Sequence, residues 1–161
     1  MLKLNMKFFI TLLILLGLSI NINSVYAASS GGITESNLYK SAKKLIIKAK
    51  KLEKKNKIEK AESLYLKALD KLEKAYSKDK KNPDILNYLG YSLRKTGNLE
   101  KAEIFYLKGL KLDPGHLGIN EYLGELYVQT KRIELAKERL EVLNGCKCEE
   151  YEELKELIEK N

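Results

Sequence analysis

One histidine, two cysteines and two prolines are all that this 161-residue chain holds of those three residue types. The shortage of histidine is the most restrictive. His116 follows Pro114-Gly115 at a helix start and has no nucleophile or metal ligand beside it in sequence. Two thiols cannot complete a four-ligand zinc site without partners, and the one histidine is remote from them. No serine sits in a Gly-x-Ser-x-Gly frame, and no glycine-rich phosphate loop occurs. The acidic residues near the C-terminus are spaced as a solvated face, so paired-carboxylate catalysis is not indicated. The chain is therefore expected to be no enzyme and to need neither cofactor nor metal. Nor is a nucleic-acid partner expected. The scarce prolines, Pro83 and Pro114, both fall between helical patterns.

The chain does contain a leader. Lys3 and Lys7 make a positive start, Phe8 to Ile20 is an apolar run of 13 residues, and Val25-Tyr26-Ala27 is a small-residue cleavage pattern. That run is shorter than the roughly 20 residues that span a hydrocarbon core. Residues 1–27 are thus expected to be a signal peptide, and residues 28–35 a flexible tether. After cleavage no transmembrane segment remains, and the protein is expected to be periplasmic or secreted. Lys, Asn and Ile usage fits a bacterial source. About 134 residues (161 − 27) are left, enough for one domain with a core.

Charge is placed unevenly. Residues 37–82 carry 16 lysines against six acids, and residues 117–161 carry seven bases against 11 acids. Solvation of long helices accounts for such lysines. The same asymmetry would also steer an acidic partner, an anionic surface or a second copy of the chain.

The chain also repeats itself. Tyr88-Leu89-Gly90 returns as Tyr122-Leu123-Gly124, 34 residues later, and Leu99-Glu100-Lys101-Ala102 is echoed by Ile133-Glu134-Leu135-Ala136 at the same offset. A period of that size in a helix-forming sequence means stacked helical hairpins. Asn82-Pro83-Asp84 is a capped helix start, Thr96-Gly97-Asn98 a hairpin turn, and Asp113-Pro114-Gly115 a breaker. These signals predict helices over 84–95, 99–112, 117–129 and 133–144. Upstream, Ile58-Glu59-Lys60-Ala61-Glu62 matches Leu99-Glu100-Lys101-Ala102-Glu103 at an offset of 41. The seven extra residues (41 − 34) are close to two helical turns, and an insertion of that size keeps the apolar stripe on one face. The stripe Ile58, Ala61, Tyr65, Ala68, Leu72 and Ala75 predicts a longer helix to about residue 77. Its partner covers about 35–55, with Leu45, Ile46, Ala49 and Leu52 inward. Glu149 to Lys160, apolar on one face only through Tyr151, Leu154, Leu157 and Ile158, suits a cap.

Cys146-Lys147-Cys148 is the one chemically sharp feature. Three readings stay open: a local disulfide stapling the turn before the last helix, pairing with another molecule or a metal-sharing dimer, and an active dithiol.

With small residues at Gly90, Gly124, Ala61, Ala102 and Ala136, large ones at Leu89, Leu93, Leu123, Tyr127, Tyr65, Tyr106 and Leu140, and Pro114 closing a unit, the chain resembles the tetratricopeptide repeat superfamily. The likeness covers about residues 36–145. The aromatic that often opens a unit is replaced by Leu86 and Asn120, and Lys48-Ala49 stands for Leu-Gly in the first unit. The stretches 86–95, 121–127 and 148–151 are also similar to a group of exported bacterial repeat proteins of unassigned role. The resemblance implies an all-α fold, an α-solenoid of about three helical hairpins (36–81, 82–115, 116–145) forming a short right-handed superhelix, with the Cys-x-Cys turn and capping helix at 146–161. It implies a non-enzymatic scaffold of the bacterial cell envelope that binds a protein or peptide in a concave groove. That groove would carry Asn87, Tyr91, Arg94, Glu121, Glu125 and Val128, with Tyr88 and Tyr122 at its edges and Tyr91 exposed. Some members clamp a terminal carboxylate. The corresponding positions here are Ile46, Lys50, Tyr88, Gly118 and Tyr122, which do not form that clamp. The alternatives are thiol-disulfide or metal handling through Cys146 and Cys148, and self-association through the basic and acidic ends.

Overall fold

A computed structural model describes residues 34–161. The expected signal peptide lies outside the described residues, as does the expected tether except for its last two positions. Those two, Thr34 and Glu35, are the cap and first residue of helix α1. Seven helices follow one another: α1 Glu35–Glu53, α2 Ile58–Lys78, α3 Pro83–Lys95, α4 Leu99–Leu112, α5 Leu117–Gln129, α6 Ile133–Leu143 and α7 Glu149–Glu159. Among the described residues there is no strand. The architecture is a helical solenoid: α1/α2, α3/α4 and α5/α6 pair as hairpins, α2 packs on α3 and α4 on α5, and α7 closes against both α5 and α6.

Helices α1, α3 and α4 start on side-chain caps. Thr34 Oγ1 accepts the Asn37 N–H, Asn82 Oδ1 that of Ile85 and Asn98 Oδ1 that of Lys101. Pro83 occupies the first turn of α3, where its missing N–H removes no helical bond. The three hairpin turns share one geometry. Asn56, Gly97 and Lys131 all have positive φ, at 55°, 84° and 62°. In each turn the following amide closes onto a carbonyl near the end of the first helix: Lys57 to Leu52, Asn98 to Leu93 and Arg132 to Tyr127. This left-handed termination satisfies carbonyls that the helix leaves open. Only one of the three positions is glycine.

The first hairpin is the long one. Helix α2 has 21 residues and α4 has 14, a difference of seven. Its buried stripe is Ala61, Tyr65, Ala68, Leu72 and Ala75, with 3-4 spacing kept throughout. Ile58, expected in that stripe, is 54% exposed, because the first turn projects past the end of the core. In α1 the buried set is Leu38, Ala42, Ile46 and Ala49, while Leu45 and Leu52 lie half-buried against it. Small residues set the helix spacing. A Cβ on Gly90 would stand 2.5 Å from Tyr106 Cε1, inside any van der Waals contact, so α3 and α4 meet at a separation only glycine permits there.

Candidate functional site

The first helices of the hairpins present a wall of tyrosines. Tyr39 and Tyr88 have ring centroids 5.8 Å apart, Tyr91 and Tyr122 4.7 Å, and Tyr65 meets Tyr91 edge-on at 5.8 Å. Cations stand over these rings. Lys43 Nζ is 5.8 Å from the Tyr88 centroid, and Lys50 Nζ is 5.6 Å from that of Tyr91 and 5.8 Å from that of Tyr122. The Arg94 guanidinium lies 5.5 Å from Tyr91 and 6.0 Å from Tyr122. Such contacts strengthen where water is excluded. At the side facing α1, Tyr65 Oη donates to Glu53 Oε2 at 2.9 Å, and Glu53 also pairs with Lys95 Nζ at 2.8 Å.

Deeper in the wall is an acidic knot. Arg94 is paired with Glu125. Carboxylate oxygens of Glu121, Glu125 and Glu153 lie within 4.8 Å of one another. Glu121 is only 3% exposed. Burial pushes its carboxyl up to about 9, helped by a hydrogen bond with Glu153 and the charges of Glu125 and Glu153, with Lys50 opposing. At neutral pH Glu121 is therefore protonated and Glu125 is neutralised by Arg94. The group thus joins α5, α3 and α7 through a protonated carboxyl and an ion pair.

The wall opens at its lower edge, where α3, the α4–α5 turn and α7 meet. A cavity of about 420 Å³ lies there. Asp84, Asp113 and Glu150 supply its carboxylates and Glu121 a protonated carboxyl, Tyr88 and Tyr122 line it as aromatics, and Asn87 and Gly118 border it. His116 borders it as the cap of α5: Nδ1 accepts the Ile119 N–H at 3.2 Å, and Nε2 lies 3.4 Å from Asp84 Oδ1. Its role as a helix start is thereby accounted for.

The residues expected along the groove come together on this wall, but not as an open channel. Tyr91, expected to be exposed, is 3% exposed, because Tyr65, Tyr122, Arg94 and Lys50 close around it. Val128 and Asn87 are buried too, and Val128 belongs to the core. Arg94 and Glu125 are half-buried and engaged with each other, and Tyr88 and Tyr122 stay half-buried at the edges. Of the positions compared with a carboxylate clamp, Ile46 is core, Lys50 covers tyrosine rings, and the other three border the cavity. Lys43 carries no sequence signal of its own, and Lys50 enters only as a position of the absent clamp, although their separation of seven residues puts both on one face of α1. Glu150 and Glu153 left no such signal, since they reach the wall from the capping helix.

Cys146 and Cys148 are joined by a disulfide, with Cα atoms 5.2 Å apart. The bond lies in the turn before the last helix, where the local-staple reading puts it. Cys148 is the cap residue of α7, and the Cys146 amide bonds to the Leu143 carbonyl at the end of α6.

Comparison with known proteins bears on the fold. Residues 83–116 match the sequence profile of the tetratricopeptide repeat. A tetratricopeptide repeat protein from Parabacteroides merdae superposes with a TM-score of 0.53 at 21% identity, over 75% of this chain and 60% of that one. The chain thus spans well under two thirds of that protein's length. The type III secretion translocator chaperone SycD of Yersinia enterocolitica superposes with a TM-score of 0.52 at 16% identity, over 80% of this chain and 85% of that one. At these identities the likeness is one of fold. No curated protein matches the sequence significantly.

Proposed function

We propose that this chain, a helical solenoid with a tetratricopeptide repeat match over residues 83–116, is a non-enzymatic scaffold of the bacterial cell envelope, holding a segment of a partner protein at the mouth of its inner wall. The observation that carries this reading is the cavity of about 420 Å³ beside Tyr88 and Tyr122, an opening in the tyrosine wall. Tyrosine offers a large contact area with few rotatable bonds, and a preformed wall keeps the ordering cost of binding low. The Yersinia protein of like fold is described as a chaperone, a role of the same general class. Placement in the envelope rests on the leader in residues 1–27, and a disulfide in so small a ring accords with an oxidising compartment.

The test is site-specific photo-crosslinking in the source cell, with the crosslinking residue at position 88 and, as a control, at position 66 on the outer side of α2. Leu66 is exposed and lies outside the buried stripe of α2. A defined partner captured from position 88, in the envelope fraction, and lost when Tyr122 is replaced by alanine is the expected outcome. Capture only from position 66, or a wholly cytoplasmic protein, would overturn the reading.

A further inference from the structure

We propose that the cavity at the mouth of the wall is a subsite for a primary ammonium group, supplied by a lysine side chain or an amino terminus of the bound segment. This deepens the reading above and rests on it only for the source of the amine. Four observations point the same way. The first is sign. The chain as a whole is formally +8, yet the carboxylates of Asp84, Asp113 and Glu150 border this cavity together with the protonated Glu121, and among the described residues no lysine or arginine lines it. Low-dielectric walls focus such a field and favour a small cation over an anion.

The second is an unmet hydrogen bond. Asn87 borders the cavity, is 5% exposed, and leaves Oδ1 without a partner. A buried acceptor in that state costs about 1–3 kcal/mol, which an incoming donor relieves. An ammonium has three donors and no acceptor. Nδ2 is the atom toward Gly118, so a turn about the last asparagine torsion, which is broad, brings Oδ1 to the incoming donor. The third is room. A Cβ on Gly118 would lie 2.8 Å from Asn87 Nδ2, so glycine at 118 keeps space that any other residue would take. The fourth is the wall itself. Tyr88 and Tyr122 already accept ammonium groups against their rings, from Lys43 and Lys50, each at 5.8 Å. A terminal carboxylate, by contrast, would meet the carboxylates of Asp84, Asp113 and Glu150.

The probe is n-butylammonium, titrated into the ¹⁵N-labelled protein in its exported form and followed by NMR at the Gly118 amide and the Asn87 side-chain amide. Saturable shifts at both are expected with n-butylammonium, and none with butyrate or n-butanol. Replacing two surface carboxylates, Asp113→Asn with Glu150→Gln, should weaken binding about three- to tenfold while leaving the fold intact. Gly118→Ala should weaken it at least as much. Two amidated peptides separate the sources: one acetylated with a single lysine, the other lysine-free with an open amino terminus. Non-saturating shifts, an equal response to butanol, or unchanged affinity in the double variant would overturn the subsite. Position-88 crosslinking reports independently. A partner captured there without ammonium binding leaves the scaffold reading standing and removes the subsite. Ammonium binding without a partner does the reverse.

Discussion

Gly90 and Gly124 occupy the same point in two successive hairpins, and different side chains press on them. A Cβ on Gly90 would meet the Tyr106 ring at 2.5 Å, from the second helix of its own hairpin. A Cβ on Gly124 would meet Leu154 Cδ2 at 2.5 Å, from the capping helix. The residue that follows Tyr106 by one repeat is Leu140, shorter and only half-buried. The space a tyrosine would fill is taken instead by a helix from outside the repeat. The same contrast recurs at the caps. Asn98 caps α4 with its own side chain, while its counterpart Arg132 makes no cap and reaches back to Glu103 with bonds of 2.8 and 2.7 Å. Leu86 opens the second hairpin as plain core. Asn120, in the same place of the third, ties its Nδ2 to the Pro114 and His116 carbonyls at 3.0 Å each. The inner hairpin is thus completed by local devices, and the outer one by long-range contacts to its neighbours.

The strongest way to break this comparison is to add the missing side chain. Gly90→Val should cost about 3 kcal/mol, the upper range for overpacking, since the Tyr106 ring is rigid and fully buried. Gly124→Val should cost about 1–2 kcal/mol, because a leucine on a terminal helix can shift. Urea denaturation of both variants measures the difference. The cycle with Leu154→Ala sharpens it: removing Leu154 should recover much of the Gly124→Val loss and none of the Gly90→Val loss. Equal costs, or additivity in both cycles, would mean that the cap does not complete the third hairpin.

How far this was legible beforehand follows from the same residues. The hairpins declare themselves locally, through Asn82-Pro83, Asn98 and the repeated tripeptide, because caps and 3-4 stripes act within a few residues. The Gly124–Leu154 contact joins positions 30 residues apart (154 − 124) on elements of different kinds, so no periodicity announces it. Tyr91 was misjudged for a related reason. Helical spacing places it on the inner wall, but its burial is decided by Tyr65, Lys50 and Tyr122, each from another helix. The acidic mouth is assembled from four separate stretches of chain and left no sequence pattern.

A smaller effect separates the hairpins by charge. Glu121 is the counterpart of Asn87, and only Glu121 titrates. Its folded carboxyl sits near 9 against an ordinary 4.5, so between those values the folded state holds a proton that the unfolded state has released. Its contribution is full below about pH 4.5 and is lost as pH rises toward 9. Stability should fall by about 2 kcal/mol from mildly acid to mildly basic pH, and Glu121→Gln should flatten that slope. An unchanged slope in the variant would place Glu121 in a wetter site. Next comes the staple. Alanine at both Cys146 and Cys148 opens a very short ring, for which chain entropy allows a loss of about 1.5 kcal/mol at most. Hydrogen exchange should show that loss as fraying of α7, with α3 and α4 unaffected. Faster exchange in α3 and α4 would show the cap bracing the whole stack.

The least disruptive test concerns the turns. Gly97 and Lys131 adopt the same left-handed backbone, with φ of 84° and 62°, and make the same closing bonds. An L-residue with a Cβ is strained there by roughly 1–2 kcal/mol, whereas glycine is not. Glycine in turn gives the unfolded chain more freedom, which takes back a few tenths to about 1 kcal/mol. Lys131→Gly should therefore stabilise the protein by about 0.5 kcal/mol, and Gly97→Lys should destabilise it by about 1 kcal/mol. The asymmetry has a reason if Lys131 contributes nothing but its backbone, since it is exposed and makes only the turn's own amide bond, to Val128 at 3.0 Å. Thermal denaturation of the two single variants and of the exchange double variant, Gly97→Lys with Lys131→Gly, decides the matter. If the double variant melts where the two singles sum, the turns are independent and equivalent devices. A double variant more stable than that sum would couple the two turns through the stack, and the distinction between a self-contained inner hairpin and a borrowed outer one would then fail at its simplest point.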